Sequence, residues 1–246
     1  MPGAAPRWAA TPVETSKAER VHNCNQYGFC FIPVVGYSGA MPDTPTVGRR
    51  ERKKAATRQA IADAALELFL EHGFERVSVR DVAERADVST TTLFAHFPSK
   101  EALVFDREAE VEAELTAAVR ERPAGQDVVE ALRAHALTSW VRMASEPRRD
   151  EFAALVDRTP ALREYWERMW MRHAGALSAV IAEELGRETD DLACAALARF
   201  VLTVPALATV RHDPRASVET VFDLLIHGWQ SSQLGSGDAT TEPHKG

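Results

Sequence analysis

Ser89, Thr90, Thr91, Thr92 and His96 place four hydroxyls and an imidazole within eight residues. Such groups bond phosphate oxygens or base edges, and threonine methyls touch the methyl of thymine. The same threonines would also serve simply to cap a short helix, because consecutive β-branched residues are poor helix formers. Upstream, Arg49, Arg50, Arg52, Lys53, Lys54 and Arg58 are offset only by Glu51. A run of that kind is common in solvated tails, and it is also what neutralises a phosphate backbone. Other reactive side chains lead elsewhere. Ser139, Ser178 and Cys194 fall on helical faces with no glycine-rich elbow, and nothing resembles a phosphate loop or a His-Glu-x-x-His metal site. No catalytic residue and no cofactor is therefore expected. His22, Cys24 and Cys30 match no zinc spacing and lack a fourth ligand nearby, so no metal is expected. Three cysteines form no disulfide framework.

Charge is unevenly distributed. The chain carries −7 overall, yet residues 49–103 hold ten Lys/Arg against nine Asp/Glu, whereas those after Leu103 hold sixteen against twenty-four. An acidic body with a basic arm suits local DNA binding, because counterion release depends on the patch and not on the whole chain. No stretch approaches the roughly 18 uninterrupted apolar residues of a membrane span. The most apolar segment, 192–210, is interrupted by Arg199 and Pro205 and reads as a buried helix. The first ten residues lack the layout of a secretory signal. A cytoplasmic protein with no membrane partner is expected.

The elements that must position these groups are helices. Ile61, Ala64, Ala65, Leu68 and Phe69 follow the i, i+3, i+4, i+7, i+8 stripe of a helix with one buried face, and Gly73 ends it. Ser78-Val-Arg-Asp81 has the Ser-x-x-acid form that starts a new helix, with Val82, Ala83 and Ala86 inward. Asp87-Val-Ser89 interrupts it. A third short helix is predicted from Thr90 to Phe97, burying Leu93, Phe94 and Phe97, and Pro98 stops it. Ser99 caps a fourth helix expected to continue to about Glu121. Three short helices, the last two joined by a tight turn, form a helix-turn-helix, with the motif at about 78–97. The unit buries Ile61, Leu68, Phe69, Val82, Val88, Leu93 and Phe97. It leaves one face of the third helix to enter a groove about 12 Å wide.

Five further helices are predicted. They span about 127–144, 149–156, a long one from Thr159-Pro160 to near Gly186, 190–212 with a kink at Pro205, and 217–230. No β alternation is sustained and no repeat occurs, so the fold expected is all-α with about nine helices. Residues 1–48, with six prolines and five glycines, are expected to be disordered. Met41 heads a stretch resembling an ordinary start, so residues 1–40 read as an over-extended gene. Residues 231–246 are expected to form a disordered tail.

The strings Ala64-Ala-Leu-Glu-Leu-Phe69, His72-Gly-Phe74, Ser78-Val-Arg-Asp-Val-Ala83, Ala86-Asp-Val-Ser89 and Thr92-Leu-Phe-Ala-His-Phe-Pro-Ser-Lys-Glu-Ala-Leu103 resemble the TetR family of bacterial regulators. The resemblance covers about Ala55 to Val104. It implies a homodimer, a divergent ligand-binding domain and repression lifted by an effector. Position by position, it implies phosphate contacts from Ser78, Arg80 and Lys100, and base-facing roles for Thr90, Thr91 and Thr92. His96 stands where a tyrosine often reaches a phosphate. Phe94, in another place often held by tyrosine, lacks the hydroxyl. Ser89 and, through the basic arm, Arg58 complete the expected DNA-binding set. No arginine or glutamine stands on the base-facing surface, so specificity is expected to lean on thymine methyls, Arg80 or DNA shape.

The domains expected are 49–104 for DNA binding and 105–230 for ligand binding and dimerisation. In the second, Trp140, Met143, Phe152, Trp166, Met169, Trp170 and His173 read either as core or as the lining of an apolar pocket with polar anchors such as His173, His135 or Arg172. Tryptophan and methionine point to a flat or lipophilic effector. Thr159-Pro-Ala-Leu-Arg-Glu-Tyr-Trp166 resembles domains that bind acyl-CoA-like ligands. The last two helices are expected to pair with their mates in the dimer, and two heads about 34–36 Å apart would read a palindromic operator. Effector binding is expected to displace the heads through the fourth helix.

Overall fold

Nine α-helices and a single 3-10 turn follow one another along the described residues, with no strand among them. The computed structural model describes residues 48–144, 148–209 and 213–235. The expectations about residues 1–47, including Met41 and the His22, Cys24 and Cys30 group, and about residues 236–246 fall outside that set.

The amino-terminal head comprises α1 (Arg49–His72), α2 (Val79–Arg85) and α3 (Thr90–His96). The basic run is the start of α1 and is helical from Arg49. Gly73 closes α1 with its N–H donating to the Phe69 carbonyl at 2.9 Å, at a φ of 85° that side chains rarely adopt. Ser78 and Asp81 form a reciprocal capping box at the start of α2. Asp87, at φ 52°, takes the left-handed conformation that aspartate tolerates. The Val88 N–H then reaches back to the Ala83 carbonyl at 2.9 Å, which sets the turn between α2 and α3. Ile61, Ala65, Phe69, Phe74, Val82, Leu93 and Phe97 make the nucleus. Phe94 does not join it: it is 52% exposed, because Leu93 and Phe97 already fill the inward side of this two-turn helix.

The fourth helix differs from expectation. Ser99 caps only the 3-10 turn Glu101–Leu103, its hydroxyl accepting from the Ala102 N–H at 3.2 Å, and α4 begins at Glu108 and ends at Arg120. Ala102, Leu103, Val104, Phe105 and Asp106 are all buried. Five consecutive residues cannot face one side of a continuous helix. Breaking it lets all of them meet the interior.

The remaining helices are α5 (Val128–Ala144), α6 (Arg149–Arg158), α7 (Pro160–Glu184), α8 (Leu192–Thr209) and α9 (Pro214–Gly235). The long α7 packs between α4 and α8, while α9 packs on α5 and α8. Pro160 opens α7 as expected, but the Thr159 hydroxyl donates back to the Leu155 carbonyl at 2.8 Å and so finishes α6 instead of capping α7. α8 continues through Pro205. α9 starts three residues earlier than expected, at a first-turn proline with the Asp213 carboxylate accepting from the Ala216 N–H, and it extends to Gly235, so the expected tail from 231 begins as helix. The apolar core is continuous from the head into the body. No helix of the described residues is long and apolar enough to cross a membrane.

Candidate DNA-reading face and effector cleft

Capping decides which hydroxyls on α3 are available. Ser89 is the N-cap: its oxygen accepts from the Thr92 N–H at 3.0 Å and shares a 2.8 Å hydrogen bond with the Thr92 hydroxyl. Those two hydroxyls serve each other. Thr90 and Thr91 are exposed, and neither side chain has a hydrogen-bond partner among the described residues. Thr90 and Phe94 are one helical turn apart, and Thr91 and Ala95 continue the same exposed surface. The outward face is therefore two hydroxyls with their methyls, a phenyl ring and an alanine. Phe94 is the residue that sequence reasoning misplaced. Its i+4 spacing from Thr90 was the available signal.

The flanking residues divide in two. Ser78 Oγ accepts from the Asp81 N–H at 3.2 Å. The backbone N–H of Ser78 in turn donates to Asp81, and this bond, followed by that of the hydroxyl, holds the exposed Asp81 carboxyl below its ordinary pKa. Arg80 is exposed and has no ion pair among the described residues. His96 is half-buried, and burial, then the charges of Arg58 and Lys54, holds its pKa below the ordinary histidine value. The shift favours the neutral imidazole, which keeps one N–H to donate.

Arg58 and Lys100 are held inward. The Arg58 guanidinium donates to the His96 and Asp106 carbonyls, each at 2.6 Å, and lies 4.1 Å above the Phe97 ring. Lys100 donates to the Phe74 carbonyl at 2.6 Å and sits 4.2 Å over the Phe74 ring, its pKa lowered by burial. Both cations, expected at phosphates, are clamps of the head. Arg49, Arg50, Arg52, Lys53 and Lys54 remain exposed.

A cleft of about 270 Å³ lies between α7 and α8, lined by Trp166, Glu167, Trp170, Met171, Ala174, Arg199 and Leu202. Residues 166, 170 and 174 stand four apart, so they share one strip of α7. Of the expected lining only Trp166 and Trp170 are there. Trp140, Met143, Phe152, Met169 and His173 are buried in the core. Trp140 lies 6.4 Å from Phe222 and Phe152 lies 6.0 Å from Phe105, ring centre to ring centre. Arg199 was missed although it is the lone charge in an 18-residue apolar helix. Among the described residues no group of three or more His, Cys, Asp or Glu could hold a metal ion.

Comparison with known proteins decides what this arrangement is. Residues 61–106 match the family model of bacterial regulatory proteins, tetR family. The chain is 32% identical over 166 residues to the HTH-type transcriptional regulator TcmR of Streptomyces glaucescens, covering 62% of this chain and 74% of that one. It is 31% identical over 173 residues to the putative mycofactocin biosynthesis transcriptional regulator MftR of Mycobacterium tuberculosis, covering 70% and 85%. The HTH-type transcriptional repressor KstR of Rhodococcus jostii matches at 31% identity over 169 residues, covering 69% and 70%. The chain belongs to the TetR family. It is a DNA-binding transcriptional regulator. The fold agrees with that of NalD, the secondary repressor of the MexAB-OprM multidrug efflux pump in Pseudomonas aeruginosa, at a TM-score of 0.51 and 20% identity, covering 71% of this chain and 97% of that one.

In this TetR-family regulator a short path joins the cleft to α3. Trp166, in the cleft wall, lies 5.6 Å from the Phe105 ring, which stacks on Tyr165 at 5.3 Å. The next carbonyl, that of Asp106, accepts from Arg58, whose other nitrogen holds the last turn of α3. A second tie joins α4 to α7. Glu108 accepts from the Tyr165 hydroxyl at 2.6 Å and pairs with Arg172, and Glu112 lies 3.0 Å from His173 Nδ1. Burial raises the pKa of Glu108, but the hydrogen bonds from Arg172 and Tyr165 outweigh it and leave the pKa lowered. The Tyr165 hydroxyl is pushed up to about 12 by burial and by that carboxylate.

Proposed function

We propose that this regulator is a repressor that binds a palindromic operator as a homodimer and is released by a small apolar or aromatic effector in the α7/α8 cleft. The observation that carries it is the double grip of Arg58 on the His96 and Asp106 carbonyls, which ties the orientation of α3 to the segment packed on the cleft wall. In this reading Thr90, Thr91 and Phe94 face bases. Their methyl and ring groups suit thymine, and the absence of a long polar side chain on α3 leaves guanine readout to Arg80 or to DNA shape. Ser78, His96 and the exposed Arg49–Lys54 run contact phosphates and fix the register. One head offers too little surface for a specific site, so a second copy is required. Support for its docking face comes from Leu192, Phe200 and Leu207 on α8 and Leu224 on α9, all exposed and apolar.

Effector binding then selects a conformation in which the heads stand off operator spacing. A coupling of about 1–3 kcal/mol, or 5–150-fold in affinity, suffices for a switch. The test is to let the purified protein select fragments from its own genome and to measure its affinity for the selected fragment. We expect an enriched palindrome bound by a dimer. A monomer that prefers no fragment over random duplex at moderate salt would overturn the proposal.

A further inference from the structure

Glu167 and Arg199 stand on opposite walls of the cleft, and the charge left uncompensated there is positive. Arg199 is exposed, is the only charged residue of α8 and has no ion pair among the described residues, whereas Glu167 is not without a partner. The rest of the lining is apolar: Trp166, Trp170, Met171, Ala174 and Leu202. The two indoles meet at 66° with centres 5.2 Å apart. Both are nearly buried, at 2% and 7% exposed, so they form the floor of the cleft, on which a flat ring rests between the exposed Met171 and Arg199. The volume of about 270 Å³ falls just under the usual range for small-ligand pockets. It holds a compact ring body and not the whole of a coenzyme A thioester.

Resting on the effector site proposed above, we infer that the effector is an organic anion with a planar aromatic body. Its rings lie on Trp166 and Trp170, and its carboxylate or comparable acidic group reaches the Arg199 guanidinium. Arginine suits the task because its planar fork bonds a carboxylate or sulfonate through two parallel N–H groups. Arg199 stays partly solvated, so its contribution is selectivity among flat molecules more than raw affinity.

A matched pair of probes separates charge from shape. 1-Anilinonaphthalene-8-sulfonate and N-phenyl-1-naphthylamine share their ring system and differ in the sulfonate. Each is titrated into the full-length protein with tryptophan excitation, reading energy transfer to the bound probe. We expect Arg199→Gln to weaken sulfonate binding about fivefold and neutral amine binding less than twofold. Ala174→Phe, and independently Leu202→Phe, should fill the cleft and remove binding of both probes, with helicity checked by circular dichroism. If Arg199→Gln leaves the sulfonate unchanged, or weakens both probes equally, the anion assignment falls while the cleft stands. If both filled variants remain folded and bind both probes as the parent does, the cleft itself is not the site, and the effector half of the proposed function falls with it.

Discussion

Two seams of the molecule, the grip of α1 on α3 in the head and the contact of α4 with α7 in the body, tie their polar groups in different ways. In the head, Arg58 and Lys100 end on backbone carbonyls, and Ser78 and Ser89 end on backbone N–H groups. In the body, polar side chains of α4 and α7 end on one another, as Tyr165 and Arg172 do on Glu108. There His173 is buried with its Nε2 lacking a partner among the described residues. A clamp on the backbone fixes the path of the chain, whereas a pair between side chains of two helices can be exchanged as the helices move. The difference teaches where each function can sit. On the proposed reading, the residues offered to DNA are those that the head leaves without internal work, and the effector cleft lies on α7, whose side-chain pairs to α4 are replaceable.

The comparison breaks most visibly at Phe97, which is buried and carries Arg58 on its ring. Phe97→Ala should cost about 3–5 kcal/mol in denaturant unfolding. Arg58→Met leaves two carbonyls without donors and should cost about 2–4 kcal/mol. Its operator affinity should fall about tenfold or more as α3 loses its orientation.

A titration sharpens the same junction. Asp106 is 8% exposed, and burial, then the charge of Glu110, opposed by Arg58 and Arg107, pushes its pKa up to about 7. The folded state therefore holds this proton more tightly than the unfolded chain. Stability is fully present below the unfolded value near about pH 4 and is lost as pH rises through the folded value. Asp106→Asn should abolish that loss. It should be more stable than the parent above pH 7, by on the order of 1–3 kcal/mol, and equal near pH 4. Equal stability at both pH values would contradict it.

Smaller effects are expected from residues with no clamp to lose. Thr91→Ala should weaken operator binding by about 1 kcal/mol, roughly fivefold, with unfolding unchanged. His173→Phe removes an unpartnered buried nitrogen along with the pairing to Glu112, so unfolding should shift by less than about 1 kcal/mol in either direction. A loss as large as that of Arg58→Met would erase the contrast between the two regions.

How much of this was legible in the sequence follows from the range of the forces involved. Gly73, the Ser78–Asp81 box and Pro98 act on their immediate neighbours, so the ends of α1, α2 and α3 could be read directly. The break before Glu108 could not, because it comes from Tyr165, sixty residues away, and from Arg58 taking the Asp106 carbonyl. Phe94 misled because a short helix flanked by Leu93 and Phe97 has two plausible inward sides. Arg58 and Lys100 were recognisable as cations, but an arginine in a basic run looks the same whether it meets phosphate or a carbonyl 38 residues away. The cleft was half visible. Core and lining residues are equally apolar, and only packing separates Trp166 and Trp170 from Trp140 and Met169.

The most direct test measures the preference of the parent and of a Thr90→Ala, Thr91→Ala, Phe94→Ala triple variant for the selected genomic fragment over random duplex at one fixed salt concentration. We expect the parent to prefer its fragment by about a thousandfold or more. The triple variant should lose most of that preference while keeping its affinity for random duplex, which we assign to the exposed Arg49–Lys54 run. An undiminished preference in a folded, dimeric triple variant would show that the outward face of α3 does not read the operator.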